Sequence, residues 1–241
     1  MWILTIDQIG SRRVGDRVEV LLADLTARGP LVDRAPASHH AAPAAGLVLP
    51  FERTVGDEVQ AVVSDPALAV EVALHVLDLG GWSVGIGAGR VDLPLPASSR
   101  AASGPAFVHA RAAVEAAKSR GRTVPLAVRA DAADLAAEAE AVLTLLAVVA
   151  ARRTSAGREV IDRVRARDGS ARQEEIAADL GISQQAVSER LRTALWAEER
   201  AARPAAARLL RLAAGSQDDG VLAAGPGGEG TSDARTVGES G

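Results

Sequence analysis

The sequence predicts an α+β protein: a ferredoxin-like or palm-like sheet with packed helices, followed by an all-α helix-turn-helix module. Three observations predict it. Strand-like and helix-like hydrophobic patterns interleave over roughly the first 130 residues. In the middle of that stretch two strand patterns flank "TVGDE" with no helix between them, a hairpin signal. From about Ala132 onward the strand patterns stop and only helical spacing continues.

Each element follows from its residues. "MWILTID" reads as a buried strand ending in Asp7, and "DRVEVLLADLTAR" places Val18, Leu21, Leu22 and Leu25 at helical spacing. "GPLVDRAPASHHAAPAAG" is expected to be an irregular loop. "LVLPFERT" and "EVQAVVS" are the hairpin strands. "DPALAVEVALHVLDLGG" is a helix with Asp65 as N-cap, Pro66 at its first position and Gly80 at its stop. "WSVGIGAGRVDL" reads as a strand, "GPAFVHARAAVEAAKSRG" as a helix starting near Pro105, and "TVPLAVRA" as a last strand. The adjacent-strand hairpin favours a ferredoxin-like or palm-like sheet over a pure Rossmann fold, with helices on one or both faces.

"ADLAAEAEAVLTLLAVVAARR" and "REVIDRVRAR" continue as helices, and "RTALWAEERAARPAAARLLRLAA" stays helical up to an expected break at Pro204. The first of these is too apolar to stand alone and is expected to pack on the sheet or form a dimer. After Gly215 the chain turns to Gly, Ser and Asp with few aliphatics, which predicts a disordered tail. The expected organisation is residues 1–130, an α+β domain; 131–214, a helical segment; and 215–241, the tail.

Composition narrows the function classes. Aromatic residues are 2% of 241, so Val, Leu, Ile and Ala must build the core. The absence of cysteine excludes disulfides, thiolate catalysis and zinc fingers, and fits the cytoplasm. The apolar stretch at the N-terminus is too short for a signal peptide or a membrane span, so no membrane partner is expected. Net charge is −4, yet residues 151–214 carry 13 basic and 9 acidic side chains. A phosphate backbone feels that local excess rather than the charge of the chain.

That basic segment holds "QEEIAADLGISQQAVSERLRTAL". Ile176, Ala177 and Leu180 share one apolar face, Gly181 suits a left-handed C-cap, and Ser183 suits an N-cap. Val187 and Leu191 face the first helix, which leaves Gln184, Gln185, Ser188 and Arg192 outward. Gln pairs with adenine and Arg with guanine in the major groove. The stretch resembles the helix-turn-helix modules of many bacterial regulators, whose A-x3-G-x5-V core is matched by Ala177, Gly181 and Val187. No alternating strand follows, so a tri-helical rather than winged module is expected. The expected DNA-binding set is Arg172, Ser183, Gln184, Gln185, Ser188, Arg190 and Arg192, with Arg172 and Arg190 on the phosphate backbone. Paired half-sites would call for a homodimer.

Two further sites are candidates. Asp7 and Asp57 end neighbouring strands if "ILTID" lies beside the hairpin; they either hold Mg²⁺ for nucleotide chemistry, or Gly56 and Asp57 merely make the turn. Ser99, Arg100 and Ser103 precede a helix N-terminus and read either as a site for a nucleotide or other small anion, or as an ordinary capped loop. Gly85, Gly87 and Gly89 in "GIGAG" lie on one strand face and suggest close backbone packing. His39, His40, His75 and His109 have no partner at metal-ligand spacing.

"RTVGDEV" resembles the hairpin signature of nucleotide-cyclase and GGDEF palm domains, with Val55 where the first glycine would stand. "TIDQIGSRR", "GDEVQ" and "PLPASSRAASGPAFVHAR" together resemble the SatD family over roughly the first 130 residues. The palm resemblance implies metal binding at Asp7 and Asp57; the missing glycine argues against it and for a sensor or dimerisation domain. The leading expectation is therefore a cytoplasmic DNA-binding transcriptional regulator with a palm-like N-terminal domain, with no cofactor unless Mg²⁺ binds. The alternatives are a metal-dependent nucleotide cyclase or nucleotidyltransferase, and a purely structural partner-binding protein.

Overall fold

The computed structural model describes residues 1–27, 46–167 and 172–215. Five strands, β1 (Trp2–Gln8), β2 (Leu47–Arg53), β3 (Glu58–Val63), β4 (Trp82–Ala88) and β5 (Leu126–Arg129), form one mixed sheet in the order β2-β3-β1-β4-β5. β1 runs antiparallel to both β3 and β4, β2 antiparallel to β3, and β5 parallel to β4. β1 takes the centre because Trp2, Ile3, Leu4 and Ile6 are all buried and need cover on both faces. Its register sets Asp7 opposite Glu58 on one side and Ser83 on the other.

The strand-helix order is the expected one, with α1 (Ser11–Val14) and α2 (Val18–Ala27) after β1, α3 (Pro66–Leu79) before β4 and α4 (Pro105–Ala117) before β5. Asp65 caps α3 by accepting the Ala67 N–H at 2.9 Å. β4 stops at Ala88, earlier than its pattern suggested, because the chain leaves the sheet at Gly89 (φ 147°). Pleating then sorts the strand residues. Trp2, Leu4 and Ile6 share the main core with α2 and α3, while Ile3 packs with Ala106 and Ala110 of α4 on the opposite face.

α4 lies unusually close to β4. A Cβ at Gly85 would sit 2.3 Å from the Val114 nitrogen, and one at Gly87 would sit 2.2 Å from the Ala110 nitrogen. Both glycines are thus contact surface, as the alternate spacing suggested; at Gly89 an added Cβ would meet nothing closer than the Ala106 nitrogen at 3.8 Å.

The helical half continues as α5 (Ala133–Ala151), α6 (Ser155–Ala166), α7 (Gln173–Leu180), α8 (Gln184–Thr193) and α9 (Trp196–Ala213). α5 and α9 join the sheet's main core through Ala136, Ala139, Leu143, Ala206, Ala207 and Leu210. The Trp2 indole donates to the Leu210 carbonyl at 3.0 Å across that contact. α6, α7 and α8 instead share a separate small core. α9 does not break at Pro204 but runs through it. An internal proline costs about 3 kcal/mol, and burial of the Ala206, Ala207 and Leu210 face against α3 and α5 offsets that cost.

Most of the expected loop at 29–46, with His39 and His40, and nearly all of the expected tail lie outside the described residues. Among the described residues no helix is long and apolar enough to cross a membrane.

Candidate nucleic-acid interface

The α7–α8 pair is built by local rules. Ile176 and Ala177 of α7 are buried with Leu180 packed against them. The helix then stops at Gly181, whose φ of 63° lies in the left-handed region that only glycine enters cheaply. The Ile182 N–H donates back to the Ala177 carbonyl at 3.0 Å and turns the chain. Ser183 opens α8, its hydroxyl accepting the Ala186 N–H at 3.1 Å. Ser183, expected among the DNA contacts, is thus engaged as a cap.

Val187 plugs the three-helix core with Val160, Ile161 and Val164 of α6, and Leu191 packs beside it. With that stripe inward, Gln184, Gln185, Ser188, Glu189 and Arg192 all emerge exposed on the outer side of α8. Arg192 is bound by Glu189: Nη2 lies 2.7 and 2.8 Å from its two carboxylate oxygens and Nε 3.1 Å from one. Arg192 in turn holds the Glu189 carboxyl below its ordinary range by hydrogen bonding and charge. Arg190 is half-buried and leans toward Glu159 of α6 at 3.8 Å. Arg172 is exposed at the start of α7.

A buried ionic cluster ties this unit to the sheet. Arg153, after α5, pairs with Glu199 of α9, with side-chain exposures of 3% and 1%. Its Nε also donates to the Ala194 carbonyl, just past α8, at 3.0 Å. Arg203 joins Glu199 to Glu71 of α3, and Arg158 reaches Asp78 of α3 at 3.1 Å. The guanidiniums of Arg153, Arg165, Arg200 and Arg203 stand 5.2 to 5.9 Å from the Trp196 ring centre. Burial alone would raise the Glu199 carboxyl, but Arg203 and Arg153 outweigh it and hold the group below its ordinary range. Sequence reasoning missed this cluster. Its one local signal is the i, i+4 spacing of Glu199 and Arg203.

The two other candidate sites are engaged internally. Ser98 Oγ and Ser99 Oγ donate to Glu52 Oε1 at 2.6 and 2.8 Å, and the Arg100 N–H donates to the same oxygen at 3.1 Å. The loop does cradle an anion, and that anion is a side chain of β2. Ser103 donates to Asp92 at 2.7 Å. At the sheet's end, Asp7 Oδ1 lies 3.1 Å from Lys118 Nζ, just beyond α4. Burial raises the Asp7 carboxyl, with Asp57 and Glu58 adding to the rise and Lys118 opposing it. Glu58 is engaged by the Thr54 hydroxyl at 2.6 Å.

A tethered ammonium therefore pairs with Asp7, and a divalent ion would have to displace it. Among the described residues no three His, Asp or Glu side chains gather into a group that could hold a metal. Lys118 on Asp7 argues against Mg²⁺ there. Of the histidines, His75 meets Asp24 at 2.6 Å and His109 meets Asp131 at 3.0 Å.

The SatD family model matches residues 40–209. The match begins downstream of "TIDQIGSRR" and runs through α8 into α9, well past the first 130 residues that carry the motif resemblance. No curated protein and no solved structure matches the chain.

Proposed function

We propose that this chain, which belongs to the SatD family, is a DNA-binding transcriptional regulator whose α7–α8 pair is a helix-turn-helix. The observation that carries the proposal is the division of α8 into two faces. Val187 and Leu191 are committed to the three-helix core, while Gln184, Gln185, Ser188 and Arg192 stand outward and exposed. An exposed polar face at the front of a short helix, after a glycine turn and a capped start, suits insertion into the major groove. Arg172 and Arg190 are assigned to the phosphate backbone. Arg190 must then leave Glu159, a weak partner at 3.8 Å.

The N-terminal part is read as a palm-like domain serving as a sensor or dimerisation element. The βαββαβ succession with antiparallel order β4-β1-β3-β2 supports the ferredoxin-like reading, β5 being an addition at the edge. Lys118 on Asp7 favours a non-catalytic domain over a nucleotide cyclase or nucleotidyltransferase. The proposed partner is double-stranded DNA, bound by a homodimer in the cytoplasm.

Recovery of bound genomic DNA followed by binding titrations tests the proposal. Gln185→Ala should cost about 1–3 kcal/mol on a recovered site and little on scrambled duplex. Arg172→Ala or Arg190→Ala should weaken both alike and flatten the salt dependence. A folded Gln185→Ala protein that binds both duplexes as the wild type does would remove α8 as the reader.

A further inference from the structure

We propose that Glu189 is a positioning residue that aims Arg192 at a guanine, so that α8 reads a G·C pair through an arginine prepared before DNA arrives. This rests on the assignment of α8 to the major groove and names what its far end recognises.

A guanidinium presents two edges of paired N–H groups: a side edge from Nε and one terminal nitrogen, and an end edge from the two terminal nitrogens. Glu189 holds the side edge of Arg192, with Nε at 3.1 Å and Nη2 at 2.7 and 2.8 Å. These bonds use Nε and Nη2 and leave Nη1 clear of Glu189, so an approaching base takes Nη1 together with a shared Nη2 hydrogen. Two parallel N–H groups match the O6 and N7 acceptors of guanine in the major groove. Thr193 steadies the carboxylate from behind, its hydroxyl donating to Glu189 Oε1 at 3.3 Å.

The face is right as well. Gln184, Ser188 and Arg192 follow one another at four-residue spacing on α8, with Gln185 and Glu189 forming the parallel row beside them. The Arg192 and Glu189 side chains are 75% and 56% exposed, so the pair does not hold the fold together. An arginine meant only for phosphate gains nothing from a neighbouring carboxylate, which repels the backbone. An arginine meant for a base edge gains orientation, and the same carboxylate discourages binding to arbitrary sequence.

The two effects of Glu189 have opposite signs, and this makes the inference testable. Full-length protein would be used to select sites from a random duplex library. Affinity would then be measured at several salt concentrations on the consensus, on the consensus with one G·C pair exchanged, and on scrambled duplex. Circular dichroism melting would confirm that each variant folds.

The wild type should favour one G·C position roughly tenfold or more. Glu189→Ala should lose most of that preference while binding scrambled duplex more tightly. Glu189→Asp should recover part of the preference. Arg192→Lys should weaken the preference, keep scrambled binding and no longer respond to Glu189→Ala in specificity, because an ammonium lacks the planar fork that a side-on carboxylate orients. A Glu189→Ala protein that keeps the wild-type preference, or that changes by the same factor on every duplex, overturns this inference alone. A wild type that enriches no sequence overturns the DNA-reading proposal itself, and this inference with it.

Discussion

Lys118 Nζ lies 3.1 Å from Asp7 Oδ1, joining the end of α4 to the end of the central strand. The pair matters because burial already raises the Asp7 carboxyl and Asp57 and Glu58 add negative charge beside it. Removing the ammonium raises Asp7 further. The folded state then keeps a proton that the unfolded chain, titrating near 3.8, releases. With more protons bound in the folded state, stability falls as pH rises through that window. Lys118→Met should therefore cost more at pH 7, about 1 kcal/mol for this partly exposed pair, than at pH 4. Urea denaturation at both pH values checks it, and equal losses at both would contradict the linkage.

The same contact bears on the enzymatic alternative. A ligand that binds only the folded state at a hundredfold excess over Kd stabilises it by about 2.7 kcal/mol. Magnesium with ATP or GTP should leave the wild-type melting temperature unchanged. A rise that Asp7→Asn or Asp57→Asn abolishes would place nucleotide chemistry ahead of DNA reading.

Gly87 allows α4 to touch the sheet backbone. Gly87→Ala places a methyl 2.2 Å from the Ala110 nitrogen and from the Ala106 carbonyl oxygen. Backbone cannot yield as a flexible side chain does, so α4 must move off β4. The expected loss is about 1–3 kcal/mol by urea denaturation, with Gly89→Ala as a comparison whose added methyl would meet nothing closer than 3.8 Å. That comparison carries the strain of a positive φ without the clash.

Glu199 is the counterion for Arg153 and Arg203 in the ionic cluster. Glu199→Ala leaves both guanidiniums short of a buried partner, which typically costs about 3–5 kcal/mol. Because Arg153 also holds the carbonyl of Ala194, the loss should loosen α6–α8 from the sheet. Hydrogen exchange should show α6–α8 amides losing protection more than those of β1 and β4. Uniform loss across the chain would mean that the cluster stabilises the fold without coupling its two parts.

Much was legible locally. The hairpin follows from two apolar runs around Gly56, the α3 cap from Asp65 before Pro66, and the α7–α8 turn from Gly181 and Ser183. Each rests on contacts between residues a few positions apart, which is the range over which a sequence pattern carries information. The outward face of α8 was legible for the same reason. Glu189 stands three residues before Arg192, a spacing visible in the sequence, but only the geometry shows its carboxylate on the side edge of the guanidinium.

The sequence by itself determined the order of strands and helices, their caps and turns, and the split of α8 into a core face and an exposed face. Only the tertiary structure decided which charges meet. Ser98 and Glu52 are 46 residues apart, Arg153 and Glu199 also 46, and Arg203 and Glu71 132. No periodicity links positions so distant. Whether the serine loop cradles a foreign anion or Glu52, and whether Asp7 meets a metal or Lys118, depends on how the sheet brings its edges together. The continuity of α9 through Pro204 is the same lesson for the backbone: local chemistry asks for a break, and burial against α3 and α5 outweighs it.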